Sequence, residues 1–87
     1  MTLADNRQLY EYLLTLASKL KSQGREDLGQ IVVSASRQAA GLSTEFLGES
    51  RIALREVARE QAGALTEEEA RELTEVLQQL DAALDRR

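Results

Sequence analysis

Apolar residues in this chain recur every third or fourth position, and that rhythm breaks at three glycines: Gly24 in "KSQGRED", Gly41 in "QAAGLST" and Gly63 in "EQAGALT". A period of three to four is the mark of an amphipathic helix, and glycine is the residue that most often ends one. The spacing predicts four helices, about 5–23, 26–40, 44–62 and 67–85, each end defined to within about two to four residues. Start signals agree with the division. Ser43 is a good N-cap, and in "TEEEA" Thr66 can cap while Glu69 reaches back to the Thr66 amide, three glutamates facing the positive helix end. Arg86 and Arg87 supply the charge that a helix C-terminus prefers.

Successive residues lie about 100° apart around a helix, so each buried face can be read from the sequence. In the last helix Ala70, Leu73, Leu77, Leu80 and Leu84 form one narrow stripe, flanked by Val76 and Ala83. The second presents Leu28, Ile31, Val32, Ala35 and Ala39. The first has a wider apolar arc, with Leu9, Leu13, Leu16 and Leu20 at its centre and Tyr12, Ala17, Tyr10 and Leu14 at its edges. An arc that wide must meet more than one neighbour. Connections of about two to four residues make consecutive helices antiparallel, so the expected architecture is all-α, a single domain over 1–87 folded as an up-down-up-down four-helix bundle. Helical hairpins completed by dimerisation are the alternative. A chain of 87 residues hides only about 60–65% of the surface it exposes when unfolded, and self-association would enlarge its modest core.

Composition narrows the chemistry. The chain has no His, no Cys and no Pro. The commonest general base, the thiolate nucleophile and the two strongest transition-metal ligands are therefore missing, which removes most hydrolase, redox and zinc chemistry. The expectation is a protein without catalysis, cofactor or metal. The two lysines, Lys19 and Lys21, fall on different helix faces, and Schiff-base chemistry has no support. Apolar runs are short and "MTLADNR" lacks the basic and apolar regions of a secretory signal, so the expected setting is cytoplasmic, off the membrane. Residues 1–63 carry eight Lys/Arg and eight Asp/Glu, whereas residues 64–87 carry three and seven, so the net charge of −4 sits entirely in the last segment. An acidic chain is a poor general match for phosphate backbones.

Two stretches imitate nucleotide or nucleic-acid motifs. "GREDLGQI" has the two glycines of a phosphate loop, but Gln30 and Ile31 stand where Lys and Ser or Thr are required; Gly24 reads as a helix end and Gly29 as a glycine near a helix start, where its cost is small. The stretch 36–50 resembles the turn and recognition helix of helix-turn-helix DNA-binding proteins: Ala40, Gly41, Leu42, Ser43 and Leu47 match, while Arg37 and Ser36 depart from the pattern. The resemblance implies a nucleic-acid-binding regulator whose base-facing positions are Thr44, Glu45, Gly48 and Glu49. Two of these are carboxylates facing a polyanion, and nucleic acid is the less favoured partner.

The third helix carries the clearest surface pattern. Its core arc holds Phe46, Leu47, Ala53, Leu54, Val57 and Ala58. Its charges divide by sign on either side, with Glu45, Glu49, Glu56 and Glu60 within about 60° and Arg51, Arg55 and Arg59 within about 80°. Between the ridges lie only Gly48 and Ile52, four apart and opposite the core. A glycine inside a helix typically costs about 0.5–1 kcal/mol relative to alanine, and an aliphatic is unexpected on an outer face. The pattern points to a protein–protein interaction module. Gly48, Ile52, Arg55 and Arg59 form a contact strip, Glu45 and Glu56 an opposing rail, and the partner is a protein, possibly a second copy paired antiparallel about a two-fold axis.

Overall fold

A computed structural model describes residues 6–40 and 43–85, and for Ala39, Ala40 and Ser43 the backbone alone. Helices form at α1 (Asn6–Ser22), α2 (Glu26–Ser36), α3 (Ser43–Glu60) and α4 (Glu67–Asp85); a 3-10 turn over Arg37–Ala40 replaces the last turn expected of α2. Among the described residues there is no strand. The expected Gly41 break and the Ser43 side-chain cap lie outside what is described, as do Arg86 and Arg87.

Each described connection is closed by the chemistry of its own residues. Gly24 sits at φ +79°, a left-handed conformation that glycine adopts without a Cβ penalty. This lets the Arg25 amide donate to the Leu20 carbonyl at 2.9 Å and the Gly24 amide to the Lys21 carbonyl at 3.1 Å, the paired bonds of a Schellman C-terminus. Thr66 and Glu69 form the predicted capping box: the Thr66 amide donates to Glu69 Oε1 at 2.8 Å and the Glu69 amide to Thr66 Oγ1 at 3.1 Å. The Thr66 amide, and then Lys19, hold the Glu69 carboxyl below the usual glutamate range.

Between α3 and α4 the chain differs from expectation. α3 ends at Glu60, ahead of Gly63, because Ala62 (φ +45°) and Gly63 (φ +87°) turn the chain while the Ala64 amide donates to the Gln61 carbonyl at 2.8 Å. Those angles and that bond are those of a type I′ turn, in which alanine at the first central position is strained. The Gln61 side-chain oxygen accepts from the Gly63 and Leu65 amides at 3.0 and 3.1 Å. The turn also delivers Leu65 into the core, a burial that helical periodicity could not have shown.

Consecutive helices pack side by side, and cross-links between them fix an up-down-up-down order. Arg25, at the start of α2, donates to the Glu60 carbonyl at 2.6 Å at the end of α3. Lys19 near the end of α1 pairs with Glu69 at the start of α4 at 3.5 Å. Contacts that bring the start of one helix to the end of another, α2 to α3 and α4 to α1, are those of antiparallel packing, and the result is an all-α four-helix bundle. Its radius of gyration, 11.9 Å, is that of a compact chain of this length, about 12 Å. The core combines Leu13 and Leu20 of α1, Leu28 and Val32 of α2, Phe46, Leu54 and Val57 of α3, and Leu73, Val76 and Leu80 of α4.

Several face assignments need correction. In α4 the buried line runs through Leu73, Val76 and Leu80, leaving Leu77 and Leu84 half-buried, because α4 turns Val76 rather than Leu77 toward the centre. Ala58 is exposed, and the core side of α3 includes Ser50, fully buried, its hydroxyl unpartnered among the described residues. Gly29 is not a casual residue near a helix start. It is buried against α1, where a Cβ would lie 2.7 Å from Lys21 Cγ and 3.1 Å from the Ala17 carbonyl oxygen. Its missing side chain is what lets the two backbones approach so closely.

Candidate interaction surface

α3 lies between α2 and α4, and this position gives its two charged ridges different environments. Arg51 and Arg55 turn toward α4, where both reach one carboxylate oxygen of Asp81, at 3.3 and 3.0 Å. Arg59 pairs within its own helix with Glu56. Glu45 and Glu49 are exposed, and no ion pair among the described residues reaches either. The arginine ridge is largely neutralised inside the molecule, while the lower half of the glutamate ridge is not.

The predicted strip therefore divides. Gly48 and Ile52 stand on the outer crest as expected: Ile52 is 64% exposed, and a Cβ built on Gly48 would meet nothing within 4 Å. Arg55, Arg59 and Glu56 border that crest but are occupied with intramolecular partners, and Glu45 is open at its lower end. The antiparallel pairing expected for a second copy is also corrected. A two-fold axis that sets two α3 helices antiparallel keeps each flank beside its own kind, Arg by Arg and Glu by Glu; only a parallel pair would set Arg against Glu.

Ile52 has an apolar neighbour that helix-by-helix reading missed. Ile31 of α2, expected in the core, is 38% exposed, and it shares with Ile52 an open groove of about 310 Å³ between α2 and α3. Ala35 and Ala53 are buried beneath it, Ser34 and Gln38 add polar edges, and Glu49 is the one charged lining residue. No single-helix pattern could reveal this groove, because its two isoleucines belong to different helices and meet only when α2 and α3 pack. The signal available in the sequence was weaker: Ile31 lies at the border of the apolar arc of α2.

A second apolar pair lies on α1. Tyr10 and Leu14, four residues apart, are 38% and 40% exposed, and Leu14 lines a groove toward α4 with Thr15, Ser18, Lys19, Ser22 and Glu69. The other edge of the wide α1 arc is closed, with Tyr12 buried. Burial, and then the nearby carboxylates of Glu72 and Glu69, push the Tyr12 hydroxyl well above its ordinary pKa.

Among the described residues no three His, Cys, Asp or Glu side chains cluster as a metal site would need, and no helix is long and apolar enough to cross a membrane. Set against protein-family models, curated proteins and solved structures, the chain matches none.

Proposed function

We propose that this chain is a small, non-catalytic, helical protein–protein interaction module. One observation carries the reading: the large apolar residues exposed on the described surface are not scattered, but fall into two pairs, Ile31 with Ile52 across the α2–α3 groove and Tyr10 with Leu14 on one face of α1. Isolated exposed aliphatics are ordinary, whereas paired ones beside a groove form the anchors that a partner helix buries. Gly48, bare and without a neighbour, permits close approach beside Ile52. The absence of His and Cys from the sequence supports a role without chemistry.

Self-association belongs to the proposal, with the Tyr10 and Leu14 face as its contact. This is the open part of the α1 arc, and covering it would add apolar burial to a small core. A cytoplasmic setting is consistent with the cysteine-free composition and is proposed with it.

Light scattering over a concentration series tests this reading. The expected result is a mass rising from the 9.7 kDa monomer toward a dimer, reversed by Leu14→Lys and unaffected by Ile52→Lys. A monomer at every concentration would overturn self-association, and a dimer broken by Ile52→Lys instead would move the contact to α3. Nucleic-acid binding is the weaker reading, because Thr44, Glu45 and Glu49 are exposed on the side that would face bases and two of them are negative. A mobility shift with random-sequence DNA at low salt, abolished by Arg55→Glu, would reverse that order.

A further inference from the structure

The α2–α3 groove has a definite chemical character. Its lips are the exposed side chains of Ile31 and Ile52, with Ala35 and Ala53 buried below. Small residues at that level leave room for a side chain inserted from outside. Glu49 is the only charge lining the groove, and Glu45 stands one turn below on the same flank. Both carboxylates lack an ion pair among the described residues, in contrast to Arg51 and Arg55, which share Asp81 on the far flank. An apolar slot with unneutralised negative charge along one wall selects its occupant by shape and by sign.

We infer that the groove receives an amphipathic α-helix of a partner protein, one that inserts aliphatic anchors spaced three or four residues apart between Ile31 and Ile52 and lays Lys or Arg against Glu49 and Glu45. The inference rests on the reading of the chain as an interaction module and names the partner class for one of its faces. A second copy of the chain is a poorer occupant. Paired antiparallel, its glutamate flank meets the same glutamate flank; paired parallel, it offers Arg55 and Arg59, which Asp81 and Glu56 already hold. A foreign basic helix meets neither obstacle. Gly48 lets its backbone pass close beside Ile52, as no side chain stands on the crest there.

Fluorescence anisotropy with three labelled synthetic helical peptides tests the inference. The first carries Leu on one face and Lys on both flanks, the second replaces Lys by Glu, and the third replaces Leu by Ser. Binding of the Leu–Lys peptide is expected, weakened about tenfold or more by Ile52→Ser and by Ile31→Ser and several-fold by Glu49→Gln, with Glu68→Gln, an exposed α4 carboxylate outside both grooves, as an unaffected control; either altered peptide binds at least about tenfold more weakly. Backbone amide shifts in the NMR spectrum should concentrate at residues 31–38 and 45–53. The inference fails if the Leu–Lys peptide does not bind, if the Glu peptide binds equally, or if Glu68→Gln weakens binding as much as Glu49→Gln. Light scattering on the same samples separates the two proposals: a protein that dimerises but ignores the peptide keeps the module reading and loses this one.

Discussion

Two glycines in this molecule occupy helix interiors, and their surroundings are opposite. Gly29 of α2 lies in the α1–α2 seam, where a methyl group would collide with Lys21 and press on the Ala17 backbone; Gly48 of α3 lies on the outer crest, where a methyl group would touch nothing. Both incur the same intrinsic helix cost. In the seam that cost is offset by closer packing of two helices, while on the crest no described residue packs against the position to offset it. The seam is filled from within the chain, and the crest is left bare.

The sharpest way to break this contrast is to fill both positions. Gly29→Leu should destabilise by about 2–3 kcal/mol, the range of overpacking a tight interface, read as a lower urea midpoint. A smaller loss, about 1 kcal/mol, is expected for Gly29→Ala, because a better helix propensity partly compensates the clash. If Gly29→Leu leaves the midpoint unchanged, the seam is looser than the 2.7 Å approach implies.

The closed side of the molecule should also be the side that responds to alkali. Tyr12 is buried and its folded pKa lies above the unfolded value near 10. Its contribution is fully present below pH 10 and is lost as pH rises past it, since the unfolded chain then ionises while the folded one resists. Wild-type stability should fall by about 1 kcal/mol between pH 9 and 11 in excess of Tyr12→Phe, a difference measurable by parallel urea titrations. Equal slopes for the two proteins would remove Tyr12 from the account.

On α3 the expected signs reverse. Ser50→Ala should stabilise by about 1 kcal/mol, because it deletes a buried hydroxyl with no partner while keeping the side chain small. Gly48→Ala should stabilise by about 0.5–1 kcal/mol, and the same substitution should weaken binding of a helix that approaches the crest closely. A stabilised variant with undiminished partner binding would show that the bare backbone serves no contact. The smallest effect belongs to Ile52→Ser, within about 0.5 kcal/mol of wild type in thermal unfolding, since a side chain 64% exposed contributes little to the core. That near-neutrality makes it a clean probe of binding.

Much of the fold is legible in the sequence because its signals are local. Gly24 ends α1 with the left-handed turn that only glycine adopts freely, Thr66 and Glu69 cap α4 by bonds spanning three residues, and the apolar stripes need only the geometry of one helix. The outer placement of Gly48 and Ile52 follows from that same geometry. What escapes is whatever depends on two helices at once. Packing of α1 on α2 puts Gly29 in a tight seam, Asp81 pairs with Arg51 and Arg55, and Ile31 leaves the core to join Ile52 at a groove. Helical periodicity, caps and composition determined an all-α chain of four helices and the crest that faces outward. The tertiary structure decided which glycine is a packing device, which charges remain free and where two isoleucines meet, because each depends on distances between residues far apart in the chain.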